Sequence, residues 1–114
     1  MKILIVDDSE QMCASIKHVL ESPDVETFSC TSSAKVLAMY EEHQPDIVVM
    51  DIRIKPLNGI KTTQLLKNLH PKARVIMLTS HNEPEYREAA RQAGASGYVL
   101  KDNLPILKAL IREI

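Results

Sequence analysis

Short runs of unbroken apolar residues, separated by stretches with helical periodicity, limit the possible folds of this chain more than any other feature. Ile3–Val6, Ile47–Met50, Val75–Leu78 and Tyr98–Leu100 are apolar at consecutive positions. A strand with one face in water alternates apolar with polar. A strand apolar throughout is covered on both faces, as in a parallel sheet flanked by helices. Glu26–Cys30 is a more polar candidate and fits a sheet edge. Between these runs lie the helical stripes Met12, Ile16, Val19 and Leu20; Val36, Leu37 and Tyr40; Ile60, Thr63, Leu66 and Leu69; Tyr86, Ala89, Ala90 and Ala93; and Leu104, Leu107, Ile111 and Ile114. Each stripe gives a helix one face to bury.

The boundaries have local causes. Ser9 is placed to cap the first helix and Ser32 or Ser33 the second. Pro23, Pro45 and Pro71 follow helical stretches that a proline cannot continue. Asn58-Gly59 is a turn signal ahead of the third helix. The order is β-α repeated five times, which gives an α/β fold with helices on both faces of the sheet. With right-handed crossovers, the arrangement expected is a doubly wound five-stranded parallel sheet in the order 2-1-3-4-5, with five helices, flavodoxin-like.

The 114 residues suit one domain, 1–114, without repeat or linker. A formal net charge of −1 supplies no global basic field for nucleic acid. Cys13 and Cys30 form no C-x-x-C pair and no zinc pattern, and read as free thiols in a reducing cytoplasm. The apolar residues before Asp7 are too few for a signal peptide. No apolar run approaches the roughly 20 residues of a membrane helix. A cytoplasmic protein with no membrane partner is expected.

In open α/β sheets, ligands bind beyond the carboxyl ends of the strands. Asp7 and Asp8 follow the first strand, Asp51 the third, Thr79 and Ser80 the fourth, and Lys101 the fifth. Three carboxylates, a hydroxyl and an ammonium therefore converge on one edge. Clustered carboxylates repel one another, and a hard divalent cation relieves that penalty. Mg²⁺ suits a site with few carboxylates because it keeps waters and accepts phosphate oxygens. Lys101 adds a charge that can contact phosphate, and Thr79 a hydroxyl donor. Such an assembly is equipped for phosphoryl transfer with one carboxylate as nucleophile.

The Asp7-Asp8 pair, Asp51, Thr79-Ser80 and Lys101, in this order and spacing, resemble the receiver domains of two-component response regulators over essentially the whole chain. The resemblance implies that Asp51 accepts a phosphoryl group from the phosphohistidine of a sensor histidine kinase. It implies that Asp8, Asp51 and the backbone carbonyl of Arg53 ligate Mg²⁺, with Asp7 acting mostly through water. It implies that Lys101 and Thr79 bind the phosphoryl group. Tyr98 falls at the aromatic position that turns inward when the threonine moves. Such a domain is not an enzyme beyond catalysing its own phosphorylation and dephosphorylation.

Departures from the family pattern are local. Lys55 stands where many members carry proline, and Pro56 follows it, so the loop Arg53 to Gly59 is expected to take a different path. Lys101-Asp102 replaces a frequent lysine-proline step. A cis bond without proline costs about 3–4 kcal/mol, so trans is expected. Leu100-Lys101-Asp102 resembles the branch with a C-terminal helix-turn-helix domain, which suggests a receiver excised from a longer transcription regulator. Any DNA binding would then belong to that domain. Arg53 and His81, two residues after Asp51 and Thr79, are candidate modulators of hydrolysis. His18, His43 and His70 read as surface residues. Mixed charge on the fourth and fifth helices, from Glu83, Glu85 and Arg87 to Lys108 and Arg112, suits a phosphorylation-dependent homodimer.

Three rivals remain. A small-molecule phosphatase would want an acid where Arg53 stands, and a cap domain. A nucleotide or flavin module would want a Gly-rich loop, and the only glycines are Gly59, Gly94 and Gly97. A docking or dimerisation module that works unphosphorylated would keep the fold and lose the need for the full acidic set, and a stand-alone receiver would keep both but lack a DNA-binding output.

Overall fold

The computed structural model describes residues 1–113. Its elements follow in the order β1 Lys2–Val6, α1 Glu10–Leu20, β2 Glu26–Cys30, α2 Val36–His43, β3 Ile47–Met50, α3 Gly59–Leu69, β4 Val75–Thr79, α4 Pro84–Gln92, β5 Gly97–Leu100 and α5 Leu104–Glu113. All strand pairs are parallel, in the order β2-β1-β3-β4-β5. The doubly wound sheet anticipated from the alternation is the observed one.

The continuous apolar runs are explained by what covers them. Leu4, Val6, Val48, Met50, Val75 and Met77 face one layer, with Val36 of α2, Leu66 of α3 and Ala90 of α4. Ile3, Ile5, Ile47, Val49, Ile76 and Leu78 face the other, with Ile16 of α1 and Leu107 and Ile111 of α5. Neighbouring strand residues thus enter opposite cores, so beyond the exposed Lys2 that opens β1 no polar position is available within β1, β3 or β4 until the strand ends. β2 is the edge strand, and only Cys30 in it is fully buried.

Local signals set the starts. Ser9 caps α1 by accepting the Met12 amide at 3.1 Å. Ser32 caps a short 3-10 turn, Ser33–Lys35, that leads into α2, so α2 itself starts without a side-chain cap. Asn58 caps α3, its Oδ1 accepting from the Lys61 amide at 3.0 Å. Lys55-Pro56 is the cis peptide among the described residues, so Lys101-Asp102 is trans as expected.

Several expectations need correcting. Leu69, read as part of the buried stripe of α3, is 60% exposed: it lies one turn after the exposed Leu65 and on the same side, because a stripe stepped by three residues drifts around the helix away from the buried Leu66. His43 and His70 are half-buried: His43 stacks on Phe28 with ring centroids 3.8 Å apart, and His70 lies against Tyr40 with its Nε2 3.4 Å from Glu41. Their partners come from other elements or from the neighbouring helix, so sequence spacing could not reveal them. His18 is exposed, as read. Ile114, the last residue assigned to the fifth stripe, lies outside the described residues.

Candidate functional site

Each strand on the sheet's central line hands over a polar residue where its apolar run stops. Asp7 follows β1 and is 1% exposed; Asp51 follows β3 and is 4% exposed. Their positions are fixed by extensions of the parallel ladder. The Asp7 amide donates to the Cys30 carbonyl at 3.2 Å, and the Asp51 amide to the Val6 carbonyl at 2.9 Å. Asp8, next along the turn, is exposed. Asp7, Asp8 and Asp51 each offer a carboxylate oxygen, and these oxygens all lie within 4.8 Å of one another. Three oxygen donors at this spacing, one open to solvent, fit a hard divalent cation that keeps some of its waters.

Lys101 closes the cluster. Its amide donates to the Thr79 carbonyl at 2.9 Å, prolonging the β4–β5 pairing by one step. Its Nζ lies 2.8 Å from Asp7 Oδ2 and 3.0 Å from Asp51 Oδ2. Burial alone pulls the Lys101 ammonium down, but the two carboxylates outweigh it and its pKa rises. Burial raises the Asp51 pKa; Lys101 pulls against that rise and Asp7 adds to it. One ammonium thus faces two buried carboxylates, a charge pattern that leaves room for further positive charge.

Thr79 ends β4 fully buried, with its Oγ1 accepting the His81 amide at 3.3 Å. Ser80 is exposed. The Tyr98 hydroxyl donates to the His81 carbonyl at 2.6 Å, and the Arg87 guanidinium sits 4.6 Å over the Tyr98 ring. The His81 ring lies against Tyr86 and its Nδ1 is 3.5 Å from Glu83. The loop after β4 is therefore tied by its backbone to both Thr79 and Tyr98. Arg53 is exposed, and its amide approaches Asp51 Oδ1 at 3.4 Å.

Two contributors were not read from the sequence. Cys13 packs beneath the site, its thiol donating to the Asp7 carbonyl at 3.5 Å. Burial pushes that thiol up to about 11, in keeping with an unreactive group, and both cysteines are free. No sequence signal pointed to that contact. Gly59, read as a turn residue, is instead the first residue of α3. Its amide donates to the Ile52 carbonyl at 2.7 Å, and a methyl group on its Cα would overlap the carbonyl oxygen of Asp51. Only glycine lets the helix start this close to Asp51.

The family model of the response regulator receiver domain matches residues 3–112. The chain belongs to the response regulator receiver domain family. This receiver is 35% identical over 100 residues to the chemotaxis protein CheY of Halobacterium salinarum, covering 88% of its own length and 83% of that protein. It is likewise 35% identical over 104 residues to the transcriptional regulatory protein MctR of Rhizobium johnstonii, covering 90% of its own length but only 49% of that protein. Among solved structures, a LuxR-family two-component response regulator from Aurantimonas superposes with a TM-score of 0.92 at 29% identity, covering 98% of the receiver and 82% of that chain. The receiver thus covers most of the length of the CheY relative and about half that of the transcriptional regulatory protein. Among its described residues no helix is long and apolar enough to cross a membrane.

Proposed function

We propose that this receiver takes a phosphoryl group onto Asp51 from the phosphohistidine of a sensor histidine kinase, in a Mg²⁺-dependent reaction. The observation that carries the reading is the buried Asp51 carboxylate, 3.0 Å from Lys101 Nζ and grouped with Asp7 and Asp8. A carboxylate oxygen of Asp51 attacks phosphorus, the P–N bond to the histidine breaks, and the imidazole leaves with the electron pair. Asp8, Asp51 and the Arg53 backbone carbonyl would hold Mg²⁺, with Asp7 reaching it mostly through water. Bound there, the ion would supply charge to the transferring phosphoryl oxygens. Lys101, already beside Asp51, contacts one phosphoryl oxygen, and the Thr79 hydroxyl donates to another.

The chain thereby modifies itself and turns over no separate substrate. The signal leaves through the loop after β4. Thr79 holds the His81 amide and Tyr98 the His81 carbonyl, so drawing Thr79 towards a phosphoryl group moves the partner of Tyr98 as well. The face of α4, β5 and α5 responds, and a phosphorylation-dependent homodimer across it is the expected output. In a longer chain with a C-terminal DNA-binding domain, that dimer would control transcription in the cytoplasm, as the name of the MctR relative suggests. Incubation with acetyl phosphate and Mg²⁺, read by intact mass, tests the acceptor. A gain of one phosphoryl group in the wild type, absent in Asp51→Asn, supports the reading; no gain in the wild type overturns it.

A further inference from the structure

Charge is distributed unevenly along this nearly neutral chain. Between Asp51 and Glu83 there is no Asp or Glu, while Arg53, Lys55, Lys61, Lys67, Lys72 and Arg74 all fall there. Helix α3 lies inside this segment and carries no acid. It also presents Leu65 and Leu69, 45% and 60% exposed, one turn apart and hence on one side of the helix. Lys61 continues the same side one turn earlier, and Lys72 follows the helix end; both are exposed.

The cations of the segment do not all remain available. Lys67 is folded back, its Nζ donating to the carbonyls of Pro71 and Ala73 at 2.7 and 2.8 Å. Arg74 has an interaction of its own. Lys61 remains on the surface one turn before the leucine pair, and Lys72 remains on the surface three residues after it in sequence. An apolar pair bracketed by like charges is a patch with a defined complement: apolar in the middle and acidic at both ends.

We propose that the exposed side of α3 is a docking surface for an acidic amphipathic helix of a partner protein. The leucines of α3 meet the partner's apolar face, and its carboxylates meet Lys61 and Lys72. Two leucines are too little apolar surface to hold a membrane, and the acid excess over the rest of the chain opposes a nucleic-acid backbone. The surface does not include the phosphoacceptor cluster, and its test needs no phosphodonor, so it stands or falls apart from the reading of Asp51.

The test titrates the whole chain, without phosphodonor, with a synthetic amphipathic helical peptide of about 16 residues, leucine on one face and glutamate around it. Its lysine-for-glutamate counterpart, phosphatidylglycerol vesicles and a DNA duplex run in parallel. Binding is followed by amide chemical shifts. The glutamate peptide is expected to shift Lys61, Leu65 and Leu69, and to weaken with added salt. Leu65→Ser with Leu69→Ser, and separately Lys61→Glu, are expected to lower its affinity about tenfold each, or roughly 1.4 kcal/mol. All three positions are exposed, so the variants keep the fold, which far-UV circular dichroism verifies. No binding, equal binding of the lysine peptide, shifts confined to other elements, or vesicle or duplex binding that outlasts both variants would each overturn the proposal.

Discussion

Replacing Lys101 by methionine is expected to destabilise the metal-free protein, and Mg²⁺ is expected to restore much of the loss. The ammonium lies 2.8 Å from Asp7 and 3.0 Å from Asp51, and both carboxylates are almost fully buried. At an effective dielectric constant of about 20, each contact is worth about 6 kcal/mol in gross Coulomb terms. Freeing the ammonium from its own desolvation offsets much of that. Removing one partner of a buried pair costs about 3–5 kcal/mol in net terms. Because the Lys101 side chain is 23% exposed, the lower end applies, about 3 kcal/mol. For a domain of this size that corresponds to a fall in Tm of roughly 10–15 °C. The assay is thermal or urea unfolding of both proteins at neutral pH, in chelator and in excess MgCl₂. With the competing ammonium gone, the cation binds more tightly, so Mg²⁺ is expected to raise the stability of Lys101→Met more than that of the wild type. A loss below about 1 kcal/mol, or equal Mg²⁺ effects on the two proteins, would refute the electrostatic account of the cluster.

The other predictions are narrower. The Asp51 pKa is raised in the folded state, so the metal-free fold holds that proton more tightly than the unfolded chain does. Stability therefore falls as pH climbs from the ordinary value of 3.8 through the folded value, and is flat beyond. Asp51→Asn is expected to flatten that fall, which unfolding curves at stepped pH in chelator will show. Lys101, raised above 10.5, contributes stability that is fully present below that pH and is lost only in more alkaline solution. Gly59→Ala is expected to lose about 3 kcal/mol or more in urea unfolding, because the added methyl meets backbone that cannot yield. Arg53→Ala and His81→Ala are expected to speed loss of the phosphoryl group by opening the approach of water, and unchanged dephosphorylation rates would end that idea. Tyr98→Phe removes the bond to the His81 carbonyl and is expected to cost about 1 kcal/mol.

The fold was readable because both faces of the sheet are covered. Val48, Val49 and Met50 enter alternate cores, so the chain has to write each strand as an unbroken apolar run, and each run ends abruptly where the site begins. The same abruptness exposed Asp7, Asp51, Thr79 and Lys101. Contacts that join residues distant in sequence through packing were not readable. Nothing local announces that His43 lies on Phe28, or that the Cys13 thiol meets the Asp7 carbonyl. Leu69 misled for a simple reason: steps of three residues fall short of a full helical turn, so the stripe begun at Ile60 has drifted by Leu69 onto the side of the exposed Leu65. Gly59 misled in another way. A glycine after asparagine reads as a turn for conformational reasons, whereas here the missing side chain matters for the space it leaves.

That missing side chain has a mechanical consequence. With no cushion of atoms between the Asp51 carbonyl and the opening turn of α3, the two cannot slide independently. A backbone displacement at position 51 would therefore meet the first turn of α3 directly. Asp51 and the helix bearing Leu65 and Leu69 thus share a backbone contact that any larger residue at position 59 would push apart.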